Sequence, residues 1–394
     1  MRTPSPAFMF ASGVENSNPT IAHGRIRRDQ MAECGHYDHW GTDFALAAQL
    51  GIRVLRYGVP LHRSWLGPER YDWEFADQVF AELRRLGIEP IADLCHFGVP
   101  DWIDNFQNPD FPALFAGYAA AFAQRYPWIR MFTPVNEMYV CARFSALYGL
   151  WNEQQRSEHA YVAAVKHLVK ANVLAMHAIR GLLPEALFIQ SESSEYFHAT
   201  AAQAEAIAET RNLRRFLTLD LNYGRVLEPL LRSFVLDNGM LEEDLHFFET
   251  HALRRHCILG TDYYRSNEHH VDPDGSMRPV DELLGYALIA REYAERYRLP
   301  LMHTETNRDD GPGGEACAWL DKQWALVRGL RRSGIAVTGF TWYSLTDQVD
   351  WDIELREQRG KVNPRGLFDL ERKIRPVGQA YGRLIAAWAG RQHA

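Results

Sequence analysis

The sequence predicts an α/β protein, a single (β/α)8 TIM barrel spanning residues 1–394, on three observations. Eight short apolar runs recur along the chain, stretches of helical spacing lie between them, and several of those stretches end on a glycine directly before the next run. Strand, helix, glycine and strand again is the rhythm of βα units around a parallel sheet. Eight such strands favour a closed barrel over an open sheet.

The elements follow in order. Phe8–Gly13 is the first apolar run. Trp40–Leu50 has helical spacing and passes through Leu50-Gly51-Ile52 into the second strand, Ile52–Tyr57. Trp73–Leu86, closed by Leu86-Gly87-Ile88, leads to Glu89–Leu94, and Phe111–Arg125 leads to Arg130–Pro134. Tyr161–Leu183 precedes Leu187–Ser191, and Thr200–Leu253, helical in composition but without clear register, precedes Ile258–Tyr264. Asp281–Tyr297 then leads to Leu301–Glu305, and Trp319–Ser333, ended by Ser333-Gly334-Ile335, to Val337–Leu345. Each run has the length of a buried strand, and several are rich in Val, Ile or Phe. A glycine after a helix accepts the left-handed backbone that closes it. No internal repeat, low-complexity tract or linker rich in Ser, Pro or Gly divides the chain.

Composition narrows the partners. With 46% hydrophobic residues the chain can bury a large core. The net charge of −7 is spread among interspersed signs without a Lys or Arg block, which argues against nucleic acid and anionic membrane surfaces. The five cysteines (Cys34, Cys95, Cys141, Cys257 and Cys317) are scattered and form no CxxC pair. They signal neither a disulfide framework nor a zinc site, so reduced thiols in a cytoplasmic protein are expected. Met1–Gly13 lacks the charged-then-apolar pattern of a signal peptide. No window approaches about 18 uninterrupted apolar residues, so no membrane span is expected. No metal ligand set or cofactor fingerprint is apparent, and the oligomeric state is left open.

In a barrel of this kind the C-terminal ends of the strands face the active site. Two glutamates stand there: Glu137, in Thr133-Pro134-Val135-Asn136-Glu137 after the fourth run, and Glu305, in His303-Thr304-Glu305-Thr306-Asn307 closing the seventh. A polar residue ending an apolar run is common in itself; the pairing gives it weight. Cleaving a glycosidic bond needs such a pair, one carboxyl to protonate the leaving oxygen and one to attack the anomeric carbon or activate water. Neighbouring glutamates also push their pKa values apart, leaving one protonated near neutral pH. Strands four and seven end across the barrel mouth at a distance suited to a retaining pair, about 5 Å.

These residues and others in order resemble glycoside hydrolase family 1, the β-glucosidase family. Thr133-Pro134-Val135-Asn136-Glu137 resembles its Thr-x-Asn-Glu-Pro, with Met138 in place of Pro, and Thr304-Glu305 with Thr306-Asn307 resembles its Thr-Glu-Asn-Gly. Phe8–Gly13 resembles the opening strand, and Asp43, Leu50-Gly51-Ile52 and Leu55-Arg56-Tyr57 the stretch ending in an Arg beside the nucleophile. Leu94-Cys95-His96-Phe97 with Pro100-Asp101-Trp102, Gly260-Thr261-Asp262-Tyr263-Tyr264 and Gly339–Trp351 match further landmarks. The second of these resembles the family's Gly-x-Asn-Tyr-Tyr. Gly366-Leu367-Phe368-Asp369 with Arg375-Pro376 completes the order. The resemblance implies a retaining β-glycoside hydrolase with Glu137 as acid/base and Glu305 as nucleophile. It implies Arg56 and Tyr264 as supports of Glu305, Asn136 on the sugar 2-hydroxyl, and His96 on another hydroxyl. The partner is then a small-molecule glycoside or oligosaccharide.

The departures concern the sugar. Asp350 stands where the family has a Glu clamping two hydroxyls, Tyr343 where a Trp platform lies, and Phe97 where another Trp does. The opening segment offers Glu15, Asn16 or Asn18 for a sugar-binding Gln. Trp351 is expected to stack on substrate, and Cys141–Trp151, with Arg143, Phe144 and Tyr148, to line the leaving-group side. A glycone other than plain glucose is expected. Three other readings stand beside this one: a transglycosidase on the same machinery, a non-catalytic carbohydrate-binding barrel, and a metal-dependent barrel using His96 and His303.

Overall fold

The computed structural model describes residues 8–392; residues 1–7 of the segment read for a signal peptide, and residues 393–394, lie outside it. Eight parallel strands close into a barrel: β1 Met9–Gly13, β2 Val54–Tyr57, β3 Glu89–Asp93, β4 Met131–Thr133, β5 Leu187–Gln190, β6 Cys257–Asp262, β7 Leu301–Glu305 and β8 Val337–Tyr343. Each strand pairs with its neighbours in sequence, and β8 returns to β1 with Gly13 opposite Tyr343. Each lies within two residues of the expected run. Most of the trimming falls at C-terminal ends, where Leu94, Pro134, Ser191, Tyr263, Tyr264, Ser344 and Leu345 leave the ladder and turn into the mouth.

Helices cover the outside: His36–Gln49, Glu74–Leu86, Phe111–Arg125, Glu158–Leu182, Tyr286–Tyr297 and Glu315–Arg332 match the six expected stretches. Gly51, Gly87 and Gly334 follow three of them with φ of 81°, 66° and 92°, the conformation a glycine takes at least steric cost. Among the described residues Glu158–Leu182 alone is long and apolar enough to cross a membrane, and two thirds of its most apolar stretch is buried in the protein. Its Ala, Val and Leu positions pack as barrel wall. Between β5 and β6 the unregistered stretch resolves into four short helices, Glu205–Arg214, Leu217–Asn222, Pro229–Asp237 and Glu242–His251.

Two features go beyond the expected elements. Tyr196–Ala199, Glu268–Val271 and Met277–Val280 form a small sheet following β5 and β6. The Glu268 carboxylate anchors it, accepting from the backbone N–H groups of Leu283, Leu284 and Gly285 at 2.7–3.0 Å and from Tyr263 at 2.7 Å. A terminal helix, Pro376–Gln392, covers the β8–β1 seam. Its glycines weaken the helical pattern, yet packing requires one of them and is close at a second. A methyl at Gly378 would lie 2.3 Å from the Leu367 carbonyl, and one at Gly382 would lie 3.1 Å from Leu50. From this helix Tyr381 donates to the carbonyls of Ala11 at 2.7 Å and Phe340 at 3.0 Å, tying β1 to β8. Tyr381→Phe leaves those buried carbonyls one donor short, and should lower unfolding free energy by about 1–3 kcal/mol in urea titrations. An unchanged midpoint would show that the seam does not depend on it.

Candidate active site

Three backbone hydrogen bonds carry the chain from β4 into the mouth. Val135 N donates to Asn172 Oδ1, Asn136 N to the Cys95 carbonyl and Glu137 N to the Ser191 carbonyl, at 2.9–3.0 Å. The turn leaves Glu137 at φ 39°, a left-handed backbone that a non-glycine residue holds only where its surroundings impose it. Its carboxyl faces a cavity of about 560 Å³ at the C-terminal end of the barrel. Glu305, the last residue of β7, faces the same cavity. Carboxylate oxygens of Glu137, Glu305 and Asp262 lie within 4.8 Å of one another.

Below the cavity floor sits Arg56, at the mouth end of β2 and almost fully buried. Its Nη1 donates to Glu305 Oε1 and to Ser191 Oγ (2.9 Å), and its Nη2 to Asp93 Oδ2 (2.9 Å) and Asn136 Oδ1. Glu305 Oε2 accepts from the Tyr264 hydroxyl at 2.6 Å, so both Glu305 oxygens are held by strong donors. Asp93 also pairs with His96 Nδ1 at 2.8 Å, leaving His96 Nε2 to accept from Asn136 Nδ2 at 3.1 Å. Although burial works the other way, His96 and Arg56 hold the Asp93 carboxyl below its usual range. Glu137 is the opposite case: burial, then the neighbouring Asp262, Glu305 and Glu192 carboxyls, raises it well above the usual carboxylate range.

One end of the cavity is lined by Glu15, His96, Tyr343, Gln348 and Trp351. Of the three candidates in the opening segment, Glu15 is the one that lines the cavity. Glu15 accepts from Ser17 N at 3.0 Å and from Gln348 Nε2 at 2.9 Å, and burial raises its carboxyl. Asn18 does not line the cavity; its amide nitrogen is turned to the carbonyls of Asn16 (3.0 Å) and His96 (3.5 Å). Asn136 and Arg56 lie beneath the lining, within hydrogen-bond reach of residues that form it.

The largest correction concerns Asp350, expected as a hydroxyl clamp. Its carboxylate accepts from Arg28 Nη2 and from the backbone N–H groups of Arg359, Gly360 and Lys361, all at 2.8–2.9 Å. Three of these donors meet Oδ2 and one meets Oδ1, and the side chain is fully buried outside the lining, so it is not presented to a sugar in the cavity. Tyr343 takes its place over Gly13, where a methyl would come 2.2 Å from its ring. Its ring is parallel to His96 within 11°, at 6.3 Å.

The other end is built from the segment after Glu137. It is helical, Met138–Ala142 followed by a π-turn over Arg143–Leu147, a distortion common at functional sites. Arg143 and Phe144 line the cavity, with Glu195 and His269 opposite. Arg143 pairs with Glu195 and stacks on Tyr139 and Tyr148 at 4.5 and 5.2 Å. Trp151 is buried behind Phe97 at 4.9 Å and does not reach the cavity. His303 is excluded as well. Its Nδ1 meets the Thr261 carbonyl at 3.0 Å, its ring stacks on Tyr286, and burial lowers it to about 3. Among the described residues no histidine joins the carboxylate cluster.

Ser191, Asp93, Asp262 and Gln348 went unremarked in the sequence as site residues. The first three end or follow apolar runs, the same signal that marks Glu137 and Glu305.

The model for glycosyl hydrolase family 1 matches residues 18–222. Beta-glucosidase A of Thermotoga maritima is 22% identical over 382 residues, covering 84% of this chain and 83% of that protein. The beta-glucosidase of an Agrobacterium species is 24% identical, covering 91% and 86%. Aryl-phospho-beta-D-glucosidase BglA of Bacillus subtilis is 25% identical, covering 83% and 79%. Among solved structures, the family 1 beta-glucosidase from Thermotoga maritima superposes with a TM-score of 0.81 at 17% identity, over 96% of this chain and 98% of that one.

Removing Arg56 strands two buried carboxylates. Arg56→Leu should lower stability by about 3–5 kcal/mol at neutral pH. Asp93, held low, contributes stability above its unfolded value of about 3.9 and loses it on acidification. Thermal melts should therefore show the deficit narrowing below about pH 4; a deficit independent of pH would contradict the pairing.

Proposed function

The chain belongs to glycosyl hydrolase family 1, and on that premise we propose that it hydrolyses β-glycosides with retention, Glu305 attacking and Glu137 serving as acid and then base. The observation that carries this is the carboxylate spacing. Oxygens of Glu137 and Glu305 within 4.8 Å leave no room for a water between carboxyl and sugar, and match the roughly 5–5.5 Å of retaining pairs rather than the roughly 6.5–9.5 Å of inverting ones.

The electrostatics support a proton cycle. In the resting site Glu137, raised by burial and by the charges around it, holds a proton for the leaving oxygen. Glu305, positioned by Arg56 and Tyr264, attacks the anomeric carbon as the glycosidic bond breaks and the Glu137 proton moves to the leaving group. Once Glu305 is esterified, one of the charges holding up Glu137 is gone. The carboxylate left on Glu137 is therefore less strained by its neighbours, and it takes a proton from the water that attacks the glycosyl-enzyme, restoring Glu305 and its own proton. Asn136, held between Arg56 and His96 beneath the lining, supports His96, and its remaining N–H is the donor we propose for the 2-hydroxyl.

For the glycone we propose that Glu15 and Gln348 supply the clamp that Asp350 does not, with Tyr343 and Trp351 as apolar faces. The acidic acceptor then comes from the end of β1 rather than from the rim loop, which favours a sugar other than plain glucose. Relatives named for glucosides and for phosphoglucosides both align, and Arg308 and Arg365 lie in the cavity wall. Nitrophenyl glycosides of neutral, deoxy, amino, uronic and 6-phospho sugars should therefore be screened together.

Glu305→Gln should abolish turnover, a loss of about 10⁴-fold or more in kcat. Glu137→Ala should spare activated leaving groups and be rescued by azide to a β-glycosyl azide; an α-azide product would reverse the stereochemical assignment. Asp350→Asn should lower thermal stability and leave KM for the preferred glycoside within about twofold. A large rise in KM would restore Asp350 to the sugar site.

A further inference from the structure

Asp262 is fully buried, lies outside the cavity lining, and is unused in the mechanism above, yet it belongs to the same carboxylate cluster as Glu137 and Glu305. We propose that Asp262 is a positioning residue that acts through Glu137, its negative charge keeping the acid/base in the proton-bearing form to higher pH than Glu305 alone would. This rests on the reading of Glu137 as acid/base.

The geometry comes from every element around it. Arg56 on β2 does not touch Asp262 but reaches it through Ser191, whose hydroxyl oxygen accepts from Arg56 Nη1 at 2.9 Å. That hydroxyl then donates to Asp262 Oδ2 at 2.7 Å, with Oδ1 at 2.9 Å. Glu137 faces it from beyond β4, Glu192 from beyond β5, Tyr264 from its own strand end, and Glu305 from β7. Arg56 therefore contacts Asp93 and Glu305 directly, and neither Asp262 nor Glu137 has a direct cation partner among the described residues. Asp262 has a hydroxyl donor to favour its charge. Among the described residues no side-chain donor reaches the Glu137 carboxyl. As pH rises, charge accordingly settles on Asp262 before Glu137, and like-charge repulsion then delays the ionisation of Glu137. The electrostatics run the same way: burial, then Glu305, raises Asp262, and after burial Asp262 is the neighbour that raises Glu137 most. The motif resembled here carries Asn at this position, so a neutral isostere fits the space while removing the charge.

The test is the pH profile of kcat/KM for the native protein and Asp262→Asn, using the most active nitrophenyl glycoside. Asparagine should move the alkaline limb down by about one pH unit or more, whatever happens to the plateau height. An unmoved limb overturns the inference, whether activity is kept or falls equally at all pH. If the variant does not fold, infrared titration of the native protein and Glu137→Gln answers the same question. The band that Glu137→Gln removes, the Glu137 carboxyl, should titrate in the native protein at higher pH than the Asp262 band that remains, and the reverse order overturns the inference. Absence of any hydrolysis by the native protein would instead remove the parent reading.

Discussion

One buried guanidinium organises the mouth of this barrel. Arg56 is the shared partner of Asp93, Asn136, Ser191 and Glu305, residues delivered by four other strand ends. A fully desolvated charge is tolerated only when its donors are used, and its planar fork imposes directions on what it meets. Asp93 turns His96, His96 turns Asn136, and Ser191 turns Asp262. Glu137 is outside this chain of contacts, and that separation gives the two glutamates different protonation behaviour. One carboxyl sits against a cation; the other looks into the cavity with carboxyls around it.

The barrel was legible because its signals are local. Buried parallel strands read as continuous apolar runs, and glycines such as Gly51, Gly87 and Gly334 mark helix ends by a conformational demand that needs no tertiary context. The terminal helix was not legible, because Gly378 and Gly382 lower its helical signal for the sake of contacts with residues far away in sequence. The small sheet of Tyr196–Ala199 with Glu268–Val271 joins segments separated by the whole of β6, a pairing no local pattern reveals.

Within the site, Glu137, Glu305, Arg56 and Tyr264 could be placed because motif and strand end coincide. Asp350 could not, although it too sits in a matched motif. Its orientation depends on Arg28, more than three hundred residues away in sequence, and on the amides of residues 359–361. A motif gives a residue's address, while the competition among its donors decides which way it points. Gln348 shows the converse: it became visible only once Glu15 was found facing it.

That competition has a consequence for redesign. Lengthening residue 350 by a methylene would not return an acceptor to the sugar while Arg28 and three amides still bind it, and Glu15 would keep its own partners, Ser17 and Gln348. A change of selectivity here begins with the donors that hold each carboxylate, not with the length of the side chain that carries it.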